Sequence, residues 1–161
     1  MTSNDLMKAL ANAEDAFQRS PDNPEIGVEF VSDPTTLQLR KACRLLDAAQ
    51  FLIDRNGHYT VIIEASFVAI ERSIQFYVEA SGYTMPGQSH TEVYDYGVRA
   101  GLFSQDIADR LEALWEENRS ESYYRTGIAG EYRVKAIYQL ATRLHQEAVQ
   151  LTRTTDCICD R

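Results

Sequence analysis

The sequence has no apolar run long enough to cross a membrane. A spanning helix needs about 20 consecutive apolar residues, and the most apolar stretch, which starts at Val61, is interrupted by Glu64, Ser66 and Glu71. The first residues, Met1-Thr2-Ser3-Asn4-Asp5, lack the basic and then apolar order of a secretory signal. We therefore expect a cytoplasmic protein that does not associate with a membrane.

Basic residues are also scarce, and lysine is the scarcest of them. The chain of 161 residues has 16 Lys and Arg against 24 Asp and Glu, a formal net charge of −8, and lysine occurs only at Lys8, Lys41 and Lys135. A general nucleic-acid binder needs a basic face for the phosphates, so this class is excluded, although a local arginine cluster can still bind a phosphate. The acidic, lysine-poor composition fits either a high-salt cytoplasm or a GC-rich genome, and both explanations stay open.

Cysteine and histidine are few, and their spacing does not predict a metal site or a cofactor. Cys43 lies in the middle of a helical pattern and is interpreted as a small buried hydrophobe. Cys157-Ile158-Cys159 lies in a short polar tail, where a Cys-x-Cys pair can ligate metal, but no second Cys or His pair completes a zinc set. The three histidines are too scattered in sequence to add one. We expect His145 to face solvent, with a role as a substitute base near a phosphate as the alternative.

Helical periodicity dominates what is present, and no segment has the pattern of a convincing strand. The sequence therefore predicts an all-α protein, with helices over about 4–18, 34–54, 58–81, 90–99 continuing as 105–118, and 131–152. Asp33 and Pro34 are expected to cap and start the second helix, and Gly82 to end the third. The longest helix, 58–81, has a broad apolar arc and is expected at the centre. Three parts follow: an N-terminal helix and irregular linker over 1–32, a helical bundle over 33–152 and a flexible tail over 153–161.

The stretch Asn118-Arg119-Ser120-Glu121-Ser122-Tyr123-Tyr124-Arg125 is the strongest functional signal in the chain. It lies at the junction between two predicted helices, and the core of a bundle does not require two arginines and two tyrosines at such a junction. No glycine-rich phosphate loop and no Gly-x-Ser-x-Gly nucleophile elbow is present elsewhere. We therefore place the candidate functional site at residues 118–125.

Several segments in order resemble the HEPN domain family, named for higher eukaryote and prokaryote nucleotide-binding proteins. The resemblance covers about residues 34–152 and rests on Leu45-Leu46-Asp47-Ala48-Ala49, Ala65-Ser66-Phe67-Val68-Ala69-Ile70-Glu71-Arg72, Ser89-His90-Thr91-Glu92 and Arg119-Ser120-Glu121-Ser122-Tyr123-Tyr124. It implies an up-down four-helix bundle, here with an additional N-terminal helix, that forms a two-fold homodimer. It also implies either metal-independent RNA cleavage or a place in a toxin–antitoxin or defence system beside a nucleotidyltransferase partner.

The resemblance also assigns roles to residues. Arg119 stands at the arginine of the family's Arg-x4-His motif, where its fork of donors would stabilise charge on phosphorus. Tyr124 occupies the histidine's place, and a tyrosine with an ordinary pKa of about 10 is a poor base at neutral pH. Glu71 is expected to orient Arg119 through a buried pair. The predicted substrate-binding residues are Asn118, Tyr123, Arg125 and Glu71.

Each of these residues also has a structural interpretation. Arg119 can satisfy the carboxyl end of its helix, the tyrosines can be packing aromatics with hydrated hydroxyl groups, and Glu71 can lie on an exposed helix side. Arg125 and Glu121 have the i,i+4 spacing of an ion pair. Two functions therefore stay open: an RNA- or nucleotide-phosphate-binding protein with weak ribonuclease activity, and a catalytically inactive interaction or dimerisation module.

Overall fold

The computed structural model describes residues 3–19, 23–55, 57–85, 89–123 and 127–159, and the regular secondary structure of this part is helical. Within these ranges there are six α-helices and no strand: α1 (Ser3–Gln18), α2 (Pro34–Ile53), α3 (Tyr59–Ala80), α4 (Glu92–Arg99), α5 (Gln105–Glu117) and α6 (Glu131–Thr152). A π-helical segment (Asn118–Tyr123) continues directly from α5. The predicted all-α class is confirmed. None of the described helices is both long and apolar enough to cross a membrane.

The predicted start of α2 and the predicted end of α3 are both present. The Asp33 carboxylate accepts hydrogen bonds from the backbone N–H of Thr36 at 2.8 Å and from its hydroxyl group at 2.6 Å. Pro34 follows at the first helical position, where a missing N–H is tolerated. At the end of α3, Gly82 adopts a φ of +85°, a conformation that favours glycine, and closes the helix.

Helix α3 is the centre of the fold, as its apolar arc predicts. It packs against α2, α4 and α6, and ten of its residues are buried. The other helices contribute further buried residues to the same core: Leu39, Cys43, Val93, Tyr94, Leu111, Val134 and Ala141. Two partly buried carboxylates on α3, Glu64 and Glu71, therefore project from a rigid support.

Helix α1 differs from the others because none of its described side chains belongs to the buried core. Its apolar residues are instead exposed to solvent: Leu6, Met7, Leu10 and Phe17. The helical spacing in the sequence predicted an amphipathic helix here, and the apolar residues of that helix are uncovered in this chain.

The segment after α6 packs onto the bundle rather than extending away from it. Arg153 turns the chain with a φ of 54°, and Cys157, Ile158 and Cys159 are partly buried against the core. Ile158 lies so close to the loop before α2 that a Cβ atom added at Gly27 would be 2.6 Å from Ile158 Cδ1. This packing differs from the flexible tail expected for residues 153–161, because two sulfur atoms and an isoleucine find partners across the fold.

Candidate functional site

The first residues of the predicted motif are held by a carboxylate of α3. Asn118 Nδ2 donates a hydrogen bond to Glu64 Oε1 at 2.8 Å, and Arg119 Nη2 lies 3.3 Å from Glu64 Oε2. Both side chains start from the π-helical segment, a rare backbone conformation that is frequent at functional sites. One carboxylate therefore fixes the direction of both predicted site residues.

The predicted pairing of Glu71 with Arg119 is not the arrangement found. The hydrogen-bond partner of Glu71 is His90, whose Nδ1 lies 2.9 Å and 3.0 Å from the two carboxylate oxygens. Glu71 and Glu64 are seven positions apart on α3, which is two helical turns, so both face the same side. Glu64, one heptad earlier on α3, takes the place expected for Glu71. The charge of Arg119 also acts on Glu71, whose pKa it lowers.

His90 and Arg119 both pack against the ring of Trp115. The His90 ring stacks on the Trp115 ring, with centroids 5.4 Å apart and planes inclined by 24°. The guanidinium carbon of Arg119 lies 5.2 Å from the Trp115 ring centroid, as expected for residues four positions apart on a helix. A histidine and an arginine therefore contact the same indole ring, and we call Glu64, Glu71, His90, Trp115 and Arg119 the Trp115 site.

The Trp115 site is accessible at its histidine. The His90 side chain is 55% exposed, whereas that of Glu71 is 15% exposed, and a small groove of about 150 Å³ borders them together with Arg72 and Ser89. Burial raises the pKa of the Glu71 carboxyl group, and the hydrogen bond from His90 opposes that effect. When the Nδ1–H of His90 donates to the Glu71 carboxylate, the other ring nitrogen, Nε2, carries the lone pair that can accept a proton.

The rest of the predicted motif is described only in part. Tyr123 ends the π-helical segment, and its side chain lies outside the described residues, as do Tyr124 and Arg125 entirely. The proposed roles of these three residues stay predictions. His90 is the residue that the sequence did not indicate as part of the site, because it is far from Arg119 in sequence and reaches it through the fold of α3, α4 and α5.

A second group of chemically active side chains lies on the other side of α3, where α2 and α6 pack. The ligand atoms of Cys43, His145, Cys157 and Cys159 all lie within 4.8 Å of one another. The sequence has no second Cys or His pair to complete a zinc set with Cys157 and Cys159, but the fold brings Cys43 and His145 to them. The expected exposure of His145 is wrong, because this residue is only 3% exposed. Cys43 is buried as predicted, but its sulfur contacts this cluster. We call these four residues the Cys₃His cluster.

Hydrogen bonding within the Cys₃His cluster shifts the pKa values of its thiol groups in opposite directions. The hydrogen bond with Cys157 raises the pKa of the Cys43 thiol to about 11. Hydrogen bonds from Cys159, Cys43 and His145 lower the pKa of the Cys157 thiol. The pKa of the Cys159 thiol is raised, chiefly by its hydrogen bond with Cys157. The acidity of each thiol group in the cluster therefore depends on its hydrogen bonds with the neighbouring sulfur atoms.

Comparison with known families assigns the chain to a family, but the function of that family is not known. Residues 1–159 match the family described as "Domain of unknown function (DUF8154)", and the chain belongs to that family. Comparisons with curated proteins and with solved structures found no match. The functional argument therefore depends on the geometry of the Trp115 site and of the Cys₃His cluster.

Proposed function

We propose that this chain is a HEPN-like protein of a toxin–antitoxin or defence type system, and that its Trp115 site binds a phosphate group of RNA or a nucleotide. The observation that carries the proposal is the contact of His90 and Arg119 with one indole ring. An arginine fork suits a phosphate, and an imidazole beside it can take up a proton. The combination is local, so it is compatible with the acidic composition of the chain.

The neighbouring carboxylates shape what the Trp115 site can bind. Glu64 fixes Arg119 and opposes its positive charge, and Glu71 does the same for His90. An anion entering the site meets two positively charged or protonatable groups whose directions are already set, which lowers the entropy lost on binding. Since each is balanced by an acid, the site favours one phosphate group over a long polyanion.

Cleavage of RNA would use His90 in place of the family's histidine. His90 Nε2 takes the proton of the ribose 2′-hydroxyl group, the 2′-oxygen forms a bond to phosphorus, and the bond from phosphorus to the 5′-oxygen breaks. The leaving 5′-oxygen takes up a proton from water or from Tyr124. The products are a 2′,3′-cyclic phosphate and a 5′-hydroxyl end. Arg119 would stabilise the charge that develops on the phosphoryl oxygens.

The geometry of the His90–Glu71 pair supports this assignment. A carboxylate that accepts from one ring nitrogen holds the imidazole in the tautomer that makes the other nitrogen basic, and it stabilises the imidazolium ion that forms. The hydrogen-bond distance of 2.9 Å is already short enough for this role. Proton transfer of this kind contributes about 10²- to 10⁴-fold to rates, which the tyrosine at position 124 alone would not supply.

The same proposal includes the finer features that the resemblance implies. They are an up-down four-helix bundle of HEPN type, a two-fold homodimer, a nucleotidyltransferase-type partner protein and a cytoplasmic location. A homodimer would join the Trp115 sites of two protomers into one cleft for a single RNA strand.

A catalytically inactive interaction or dimerisation module is the second candidate, and one specific observation favours it. The apolar residues Leu6, Met7, Leu10 and Phe17 of α1 are exposed, and an uncovered apolar helix face is typical of a protein-binding surface. In that case Glu64 and Glu71 would serve only to neutralise Arg119 and His90.

The test is RNA cleavage by purified protein in buffer without added divalent cations. We expect products with cyclic phosphate ends from wild type, a loss of at least about 100-fold in rate for His90→Asn, and no detectable cleavage by Arg119→Gln. His58→Asn and Arg110→Gln are matched controls on exposed positions and should cleave like wild type. Absence of both cleavage and RNA binding in folded wild-type protein would refute the proposal and favour the interaction module.

A further inference from the structure

The Cys₃His cluster joins three separate parts of the chain. Cys43 lies on α2, His145 on α6, and Cys157 and Cys159 on the segment after α6. From His145 Nε2 the distances to sulfur are 3.5 Å for Cys43, 3.5 Å for Cys157 and 3.1 Å for Cys159. We propose that these four residues form a structural Zn²⁺ site that fastens the C-terminal segment to the helices.

The spacing of the four atoms is close to that of a tetrahedral zinc site. With Zn–S bonds of about 2.3 Å and Zn–N bonds of about 2.0–2.1 Å, a regular tetrahedron has S···S edges of about 3.8 Å and S···N edges of about 3.5 Å. The Cys43 and Cys157 sulfur atoms are 3.5 Å apart, and every pair of ligand atoms is within 4.8 Å. Shifts of at most about 1 Å between ligand atoms would therefore admit the ion.

A hydrogen bond behind the histidine directs its lone pair toward the sulfur atoms. The Ser73 hydroxyl group donates its proton to the Ala69 carbonyl oxygen at 2.7 Å. Its oxygen lies 2.9 Å from His145 Nδ1, and it must accept there because its own proton is already used. His145 therefore carries its proton on Nδ1, which leaves Nε2 as the ligand atom. Ligating histidines in zinc sites are oriented by such partners on the opposite nitrogen.

The donor set identifies the class of metal and its role. Three thiolates and one imidazole select zinc among the common divalent ions, since Mg²⁺ and Ca²⁺ prefer oxygen ligands. Four protein ligands leave no position for substrate, which is the mark of a structural site. A groove of about 420 Å³, lined in part by His145, Cys157 and Cys159, provides an entry path. Binding would release the protons of the thiol groups and give a complex with one net negative charge.

The bound ion would also order residues that do not ligate it. Between the two C-terminal cysteines, Ile158 packs against Gly27 in the loop that precedes α2. That loop is also tied to α2 by Arg44, which pairs with Glu25 at 3.2 Å. One zinc ion would thus hold α2, α6, the C-terminal segment and this loop together, a role that is independent of RNA binding.

The direct test is titration of reduced, metal-free wild-type protein with Co²⁺, followed by displacement with Zn²⁺. We expect one equivalent of Co²⁺ to produce thiolate charge-transfer bands and the visible bands of a tetrahedral complex, and Zn²⁺ to remove both. Elemental analysis should find one zinc per chain in protein prepared with zinc. Cys159→Ser and His145→Gln should weaken binding by at least about tenfold, whereas His58→Gln, an exposed histidine outside the cluster, should bind as wild type does.

Two results would overturn the zinc site. One is the absence of cobalt thiolate bands in folded, reduced wild-type protein, a readout that does not depend on the folding of any variant. The other is a disulfide between two of the three cysteines in protein purified with zinc under mild reducing conditions, detected by mass spectrometry without any bound metal. RNA cleavage is not part of this test, so failure of the Trp115 site would leave it unaffected.

Discussion

Glu64 on α3 holds Arg119 of the π-helical segment in place by an ion pair, with Nη2 of Arg119 3.3 Å from Oε2 of the carboxylate. Both side chains are about three-quarters buried, at 22% and 27% exposure, so the pair is partly shielded from solvent. A phosphate that binds Arg119 must therefore compete with this carboxylate or share the guanidinium group with it. The pair sets both the direction of Arg119 and the strength of anion binding.

Replacing Glu64 should strengthen RNA binding. Glu64→Gln keeps a hydrogen-bond acceptor for Asn118 and removes the negative charge beside Arg119, so we expect a three- to tenfold lower dissociation constant, or about 1 kcal/mol, for a single-stranded RNA in low salt. Glu116→Gln, on an exposed position of α5, makes the same change in net charge and should have a smaller effect. Equal effects of the two variants would show that only net charge matters, and would contradict the role of Glu64.

Removing the Ser73 hydroxyl group should weaken metal binding without removing a ligand. Loss of a hydrogen-bond partner behind a ligating histidine typically reduces metal affinity by about 10- to 100-fold, and we expect this for Ser73→Ala in competition titrations with a zinc chelator. The matched control is Ser66→Ala, because Ser66 is equally buried on α3 and donates to the Ile62 carbonyl oxygen away from the cluster. Unchanged affinity in Ser73→Ala would argue against the assigned histidine tautomer.

Gly27 and Gly82 have similar backbone conformations but different surroundings. Alanine variants at these two positions therefore distinguish the cost of the φ angle from the cost of a steric contact. Gly27 and Gly82 have φ values of +94° and +85°, but an added Cβ meets Ile158 only at Gly27 and nothing within 4 Å at Gly82. Alanine at either position should destabilise the fold by about 1–2 kcal/mol through its φ angle. Gly27→Ala alone should also raise the zinc dissociation constant by about tenfold, which corresponds to an overpacking penalty of about 1.4 kcal/mol. Equal zinc affinity in both variants would remove the proposed link between the loop and the site.

Glu71 and Glu131 should contribute to the free energy of unfolding with opposite pH dependences. Burial raises the pKa of Glu71, so its contribution to folding is present at low pH and is lost as the pH rises through its folded pKa. The hydrogen bond from Lys135 lowers the pKa of Glu131, so its contribution is present at higher pH and is lost as the pH falls.

The two glutamine variants measure these contributions. Between about pH 4 and pH 6, Glu71→Gln should gain free energy of unfolding relative to wild type as the pH rises, and Glu131→Gln should lose it. Urea denaturation at several pH values provides the measurement. A slope of the same sign for both variants would contradict the assigned environment of Glu71.

The helices were predictable because their signals are local. Asp33 and Pro34 mark the start of α2, and Gly82 marks the end of α3, by preferences that depend on a few neighbouring residues. The central place of α3 also followed from its own sequence, since a broad apolar arc has to be covered on several sides. The packing of residues 157–159 against the core was not predictable, because it depends on contacts with α2 and with the loop before it.

The two sites were only partly predictable for the same reason. The motif singled out Arg119, but whether Glu64 or Glu71 is its partner depends on where the segment after α5 lies along α3, which a pattern on one helix does not give. The Cys₃His cluster was missed because Cys43 and His145 are 102 positions apart. A sequence signal existed in Cys157-x-Cys159, but its partners are brought together only by the packing of α2 against α6.

The chain has a single tryptophan, so its fluorescence reports directly on the Trp115 site. The most direct test of the account is a fluorescence titration of the zinc-supplemented protein with a 2′-O-methyl RNA oligonucleotide, which binds but cannot be cleaved by its own 2′-oxygen. We expect a saturable change in Trp115 emission, with a dissociation constant at least about tenfold higher in Arg119→Gln and unchanged in Arg110→Gln. No change in emission, or a change that Arg119→Gln leaves intact, would contradict RNA binding at this site.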